Sequence, residues 1–255
     1  MKTSSFFQVA LTIGAVVGSI IAYWSFTIIM WLSVIPQLIC FIISFYIIEP
    51  KVVKEESTNI FSHLHLSSLA LWKNKKLRLL SLRYMLSEGI GEANFQFRSA
   101  FINTLWPVWA IGFSKAISFL VAGIGFWNSS KIIKKVGLYK VLIISDVSNR
   151  IINIFSIIIS NIFSPILMSM TSLLYGPGSV ATNTLRQDEY SENQRATMTS
   201  LNSLFANLLF SVFAVFLGYL ADKNGPAKAY LISQFLLIPN IFITLILEKV
   251  KSSED

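Results

Sequence analysis

Two carboxylates lie four residues apart inside a hydrophobic run. The stretch Leu77 to Trp106 reads LRLLSLRYMLSEGIGEANFQFRSAFINTLW and carries Glu88, Glu92, Gln96 and Arg98 near its middle. At about 100° per helical residue, Ser81, Glu88, Glu92, Gln96, Ser99 and Asn103 fall within an arc of roughly 80°. A lone carboxylate at the centre of a bilayer costs about 2.5 to 3.5 kcal/mol on insertion scales. Such a stripe must therefore face protein or water rather than lipid. A carboxylate drawn partly out of water can take up and release a proton as its access to water changes. Lys115, in the next apolar run, is a basic partner for these groups or a contact for an anionic solute. Glu88, Glu92, Gln96 and Lys115 are thus candidates for substrate contact or proton coupling. A second reading stays open, in which they pair with Arg83, Arg98 or each other to hold helices together.

Glu88 and Glu92 flank Gly89-Ile90-Gly91, and two glycines within one turn predict a local helix break. Asp146 and Arg150, spaced for an ion pair along one helix face, read as a structural pair. Other chemistry lacks its residues. Cys40 is the single cysteine, which leaves no disulfide and no cysteine-based metal site. His63-x-His65 has no carboxylate or cysteine ligand in register, so no metal is expected. No phosphate loop, nucleophile elbow or zinc helix occurs, and the chain reads as neither an enzyme nor a cofactor carrier.

The elements that must position these residues are membrane helices. Hydrophobic residues make up 54% of the 255, and only 13% are charged, against about a quarter in soluble domains. With a mean hydropathy of +0.63, the chain reads as an all-α, polytopic integral membrane protein. A net charge of +8 would suggest nucleic acid only on a soluble domain, so the expected surroundings are a lipid bilayer without nucleic acid. Eight runs approach the about 20 apolar residues needed to cross. They are Phe6–Ala22, Phe26–Ile48, Leu77–Trp106, Val108–Trp127, Leu138–Ile159, Ile162–Leu185, Met198–Ala221 and Ala229–Leu247. Residues 51–76 form the long connection, in which Ile60 to Trp72 predicts a short interfacial helix.

Basic residues set the orientation. Lys2, Lys51, Lys54, Lys73, Lys75, Lys76, Arg78 and Arg83 fall on one side of the spans. Lys131, Lys134, Lys135, Lys140, Arg186, Arg195, Lys249 and Lys251 join them, making 16. Only Lys223 and Lys228 fall opposite. The positive-inside rule then puts both termini in the cytoplasm, in a plasma or inner membrane.

The stretch Tyr175 to Gly225 carries the most specific pattern. A Gly176-Pro177 helix leads through Arg186 and a polar loop to Gln194-Arg195-Ala196-Thr197, which opens a helix ending in Gly218-x-x-x-Asp222-Lys223-x-Gly225. This resembles the tenth and eleventh helices and the following loop of the major facilitator superfamily. Gly125 to Gly137, with Lys131, Lys134 and Lys135, is similar to the repeat of that family's basic loop motif, although Asn128 and Ser129 stand where an acidic residue is usual. Glu49-Pro50 resembles the start of the connection between the family's two six-helix halves. Gly14-x-x-x-Gly18-Ser19 is a weak echo of the small-residue motif in its fifth helix, and also a general device for close helix contact.

The resemblance covers the family's last eight helices. It implies residues 1–50 as the end of an amino-terminal bundle, 51–76 as a cytoplasmic inter-bundle loop, and 77–255 as a six-helix carboxy-terminal bundle. It further implies secondary-active transport of a small solute by alternating access, with the first four helices expected to be missing. The partner is then a missing amino-terminal half or a second copy of the chain. The alternative is a non-transporting remnant or the interaction subunit of a split transporter.

Overall fold

The computed structural model describes residues 2–47, 69, 71–190 and 195–251. Helix α1 (Lys2–Trp24) turns at Ser25 into α2 (Phe26–Ser44), and the Ser25 side chain accepts a hydrogen bond from the Ile28 N–H at 3.5 Å. Asn74 starts α3 (Lys75–Met85) in the same way, accepting from Leu77 N–H at 3.0 Å. A π-helical turn, Leu86–Ile90, then carries the chain into α4 (Gly91–Ile102). A 3-10 turn at Val108–Ala110 precedes α5 (Ile111–Val136), and Gly137 alone separates α5 from α6 (Leu138–Ile159). Next come α7 (Ser164–Met170), a 3-10 stretch Thr171–Leu174 and α8 (Tyr175–Glu189). The chain ends in α9 (Arg195–Asn224), α10 (Pro226–Leu236) and α11 (Pro239–Lys251).

Among the described residues, six helical stretches are long and apolar enough to cross a membrane. The third and sixth expected spans are helical over most of their length too, each interrupted midway by a turn of different pitch. The chain is an all-helical integral membrane protein. One expectation needs correcting. Gly125 to Val136 continues α5 rather than forming a loop, because the apolar Ile132 and Ile133 hold one face on the bundle while Lys131, Lys134 and Lys135 stay exposed. The interfacial helix expected at Ile60–Trp72 and the Glu49-Pro50 junction lie mostly outside the described residues.

Two apolar clusters close the bundle's ends. Leu80, Tyr139, Leu142, Ala181, Leu185, Ile243 and Leu247 pack at one end. At the other, Phe101 stacks on Tyr230 at 6.0 Å, beside Ile157 and Met168. Glycines bring backbones together between them. A Cβ at Gly176 would lie 2.8 Å from Gly125 C and Phe126 Cα, which fixes how closely α8 crosses α5. Helix α1 lies along α5, and a Cβ at Gly112 would strike Ser19 Oγ and sit 3.1 Å from Ala15 O. A Cβ at Gly14 or Gly18 would meet nothing within 4 Å, so within the expected small-residue motif it is Ser19 that makes the contact, against Gly112 of α5. Helix α2 buries none of its residues.

Candidate functional site

Between the apolar clusters lies a cavity of about 400 Å³. Helices α3 and α4 and the π turn between them form one wall. The polar face of α6 forms the second, α8 the third, and Gln8 of α1 closes a side. The π turn confirms a local irregularity at Glu88 but not a break. Widening the helix by part of a turn keeps the backbone bonded while altering the register of the stripe. Gly89 has a separate cause: a Cβ there would approach Leu209 Cβ to 2.7 Å and Ala206 O to 2.8 Å.

The stripe therefore does not sit where an ideal helix puts it. Arg83, Asn94 and Arg98 are 3 to 4% exposed, whereas Glu92 and Gln96 lie open at the cavity rim. Asn94 Oδ1 accepts hydrogen bonds from Ser233 Oγ at 3.0 Å and Gln234 Nε2 at 3.1 Å, tying α4 to α10. Glu88 and Glu92 also border a second hollow of about 350 Å³ against α9, with Tyr84, Ser203 and Asn207.

Three of the four expected coupling residues form one hydrogen-bonded chain. Lys115 Nζ donates to Gln96 Oε1 at 2.7 Å, and Gln96 Nε2 donates to Glu92 Oε1 at 2.6 Å. The amide thus links cation to carboxylate without a direct ion pair. Phe95 lies under both Lys115 Nζ (5.1 Å) and the Arg98 guanidinium (4.8 Å). Arg98 Nη2 donates to Ser118 Oγ at 2.7 Å and Nη1 to Met168 O at 3.1 Å. These partners are neutral, so the guanidinium is bonded but its charge is not offset by them.

Asp146 does not take Arg150. Its Oδ2 accepts from Arg83 Nη2 at 2.8 Å, while Arg83 Nε and Nη1 donate to Thr244 and Thr182 hydroxyls at 2.9 Å each. One guanidinium thereby joins α3, α6, α8 and α11. A planar fork with five donors satisfies several partners from a single position, which an i,i+4 pair along α6 cannot match. Arg83, expected at the cytoplasmic flank, is a buried hub instead.

Freed from Asp146, Arg150 lines the cavity with Asn149 and Asn153, and Arg150 Nη1, Asn149 Oδ1 and Asn153 Oδ1 find no hydrogen-bond partner among the described residues. Asn149 and Asn153 were not expected as site residues. Their signal is visible at one-turn spacing, since Ser145, Asn149 and Asn153 follow one another along a single face of α6. Tyr230 lines the same cavity.

The residues of the sequence motif serve elsewhere. Arg186 is buried at 2%, stacked 3.5 Å over the Tyr84 ring, and its Nε donates to Tyr190 OH at 3.0 Å. Asn202 Nδ2 donates to the same hydroxyl at 2.7 Å, so α8 and α9 meet through Tyr190. Arg195 opens α9 and is exposed, and Gln194 lies outside the described residues. Asp222 is exposed, and Lys223 rests 4.6 Å from the Tyr219 ring. Gly225, at φ +83°, makes the turn that Pro226 follows into α10. No group of three or more metal-ligating side chains occurs among the described residues.

A family model described as Major Facilitator Superfamily matches residues 3–213. No curated protein matches. Among solved structures, the chain is similar to a bacterial homolog of the human lysosomal transporter Spinster, in an inward-facing and unoccupied conformation. The TM-score is 0.51 and the identity 13%, over 82% of this chain and 54% of that one. At that identity the likeness speaks for the fold. The chain spans about half the length of the transporter it matches.

Proposed function

The chain belongs to the Major Facilitator Superfamily, and from that premise we propose that it works in secondary-active transport of a small solute by alternating access. The observation that carries the reading is the charged cavity. Three guanidinium groups (Arg83, Arg98, Arg150) and three carboxylates (Glu88, Glu92, Asp146) line it inside an otherwise apolar membrane bundle. Groups so costly to bury are kept where they meet water, ions or solute. Only Arg83 and Asp146 neutralise each other directly among the described residues of the cavity. Glu92, tethered through Gln96 to Lys115, is the group we assign to proton coupling. The expected enzyme activity is none. We place the protein in a plasma or inner membrane with both termini cytoplasmic, following the basic residues.

Reconstituted into liposomes, the chain should take up a polar solute in response to an inward proton gradient, and Glu92→Gln should abolish the gradient dependence. Solute uptake that ignores the gradient in the parent chain would remove proton coupling. No uptake across a broad solute panel would remove transport by this chain alone.

One observation favours a second reading. Helix α2 buries no residue and exposes Met30, Trp31 and Phe41, and the chain spans about half of the matched transporter. We propose that further helices complete the carrier beside α2, from an amino-terminal half or a second copy. In that case uptake needs the additional helices, and the chain alone is a subunit.

A further inference from the structure

The cavity's charges outside the Arg83–Asp146 pair come from separate elements. Glu88 and Glu92 sit at the π turn and just beyond it, with no ion pair at either among the described residues. Arg98 lies further along α4, an axial rise of about 9 Å beyond Glu92 at about 1.5 Å per residue. Arg98 and Arg150 come from different helices and line the same cavity. Arg98 is held by neutral oxygens, and Arg150 Nη1 has no partner among the described residues. Two aromatic rings in contact with each other line the same cavity. Phe95 and Phe119 stand 6.2 Å apart, one on α4 and one on α5.

We propose that this cavity binds an elongated zwitterion, with an amine at the Glu88–Glu92 end, a carboxylate or phosphate at the Arg98–Arg150 end, and an apolar spacer against Phe95 and Phe119. The inference rests on the transport reading and names its substrate class. The physical reason is charge compensation. A charge partly withdrawn from water without a partner is costly, as at the half-buried Glu88 and Arg150, and a ligand that brings both missing counter-charges removes two such costs at once. A solute with one charge compensates only one end. A cavity of about 400 Å³ is within the ordinary range for small-molecule sites.

The test is thermal melting of the purified full chain in detergent with 6-aminohexanoate, hexanoate and hexylamine, each titrated separately. The zwitterion should stabilise the protein at concentrations at least tenfold below either singly charged analogue. Glu88→Gln/Glu92→Gln should bring 6-aminohexanoate down to the level of hexanoate. Arg150→Gln should weaken 6-aminohexanoate at least tenfold while leaving the ligand-free melting temperature within a few degrees of the parent's. Equal stabilisation by hexanoate and 6-aminohexanoate in the parent would overturn the proposal, as would no stabilisation by the zwitterion. Binding is read without transport, so the two readings fail separately. A chain that binds the zwitterion but moves no solute loses the transport reading alone. One that moves a different solute and ignores the zwitterion loses only this inference.

Discussion

At the scale of single residues, a buried charge is decided by how many partners it can reach. Arg83 touches a carboxylate and two hydroxyls on three different helices, and Asp146 has followed it rather than Arg150, its neighbour in sequence. Removing one member of a buried ion pair leaves the other uncompensated, at a cost of about 3 to 5 kcal/mol. Arg83→Gln is therefore expected to lower the melting temperature of the detergent-solubilised protein sharply. Asp146→Asn, which keeps an acceptor oxygen for the guanidinium, should cost clearly less. Equal losses would mean that the ion pair, not the hydroxyl bonds, holds the hub together. Arg186 follows the same logic with an aromatic partner. Stacked on Tyr84 and bonded to Tyr190, it stiffens the junction of α8 and α9 instead of staying in a loop.

At the scale of elements, glycines that look alike in sequence do different work. Gly89 lies where α9 approaches most closely, and an added Cβ would collide with Leu209 and the Ala206 carbonyl. Gly91, two residues on, meets nothing within 4 Å. Gly89→Ala should destabilise by about 1 to 3 kcal/mol through overpacking, and should also narrow the hollow beside Glu88. Gly91→Ala should be neutral or stabilising, by up to about 1 kcal/mol from helix propensity. Paired denaturation curves distinguish them; a larger loss at Gly91 would mean that it, and not Gly89, sets the close approach of α9. The helices themselves were legible in the sequence, since α6 runs over Leu138–Ile159 as expected and the Gly89–Gly91 irregularity appears as a π turn. The continuation of α5 through Val136 was not. A run with lysines on one face and isoleucines on the other fits a loop motif or the solvated end of a long helix equally well until the neighbouring helices are known.

At the scale of the whole molecule, orientation carries the prediction. Lys131 ends one side of α5, and Lys223 ends the opposite side of α9. With Cys40→Ser as background, Lys131→Cys should react with an impermeant maleimide only after the membrane is opened. Lys223→Cys should react in intact cells; the reverse pattern would invert the topology. The Lys76–Glu189 ion pair at 2.7 Å already ties the start of α3 to the end of α8, as antiparallel crossings require. What the sequence determined by itself was the class of the protein. Apolar length is a local property, and it suffices to mark membrane helices and their hairpins because each span must satisfy its own backbone in lipid. The same economy made the carboxylate stripe visible, since a costly group in an apolar run stands out wherever it ends up. Which charges neutralise each other was decided only by tertiary structure. Partners such as Arg83 and Thr244 lie 161 positions apart in the chain, and no periodicity within one helix encodes which neighbour will arrive opposite it. That packing set Asp146 against Arg83, hid Arg98 among neutral oxygens, and left Glu88, Glu92 and Arg150 facing the cavity.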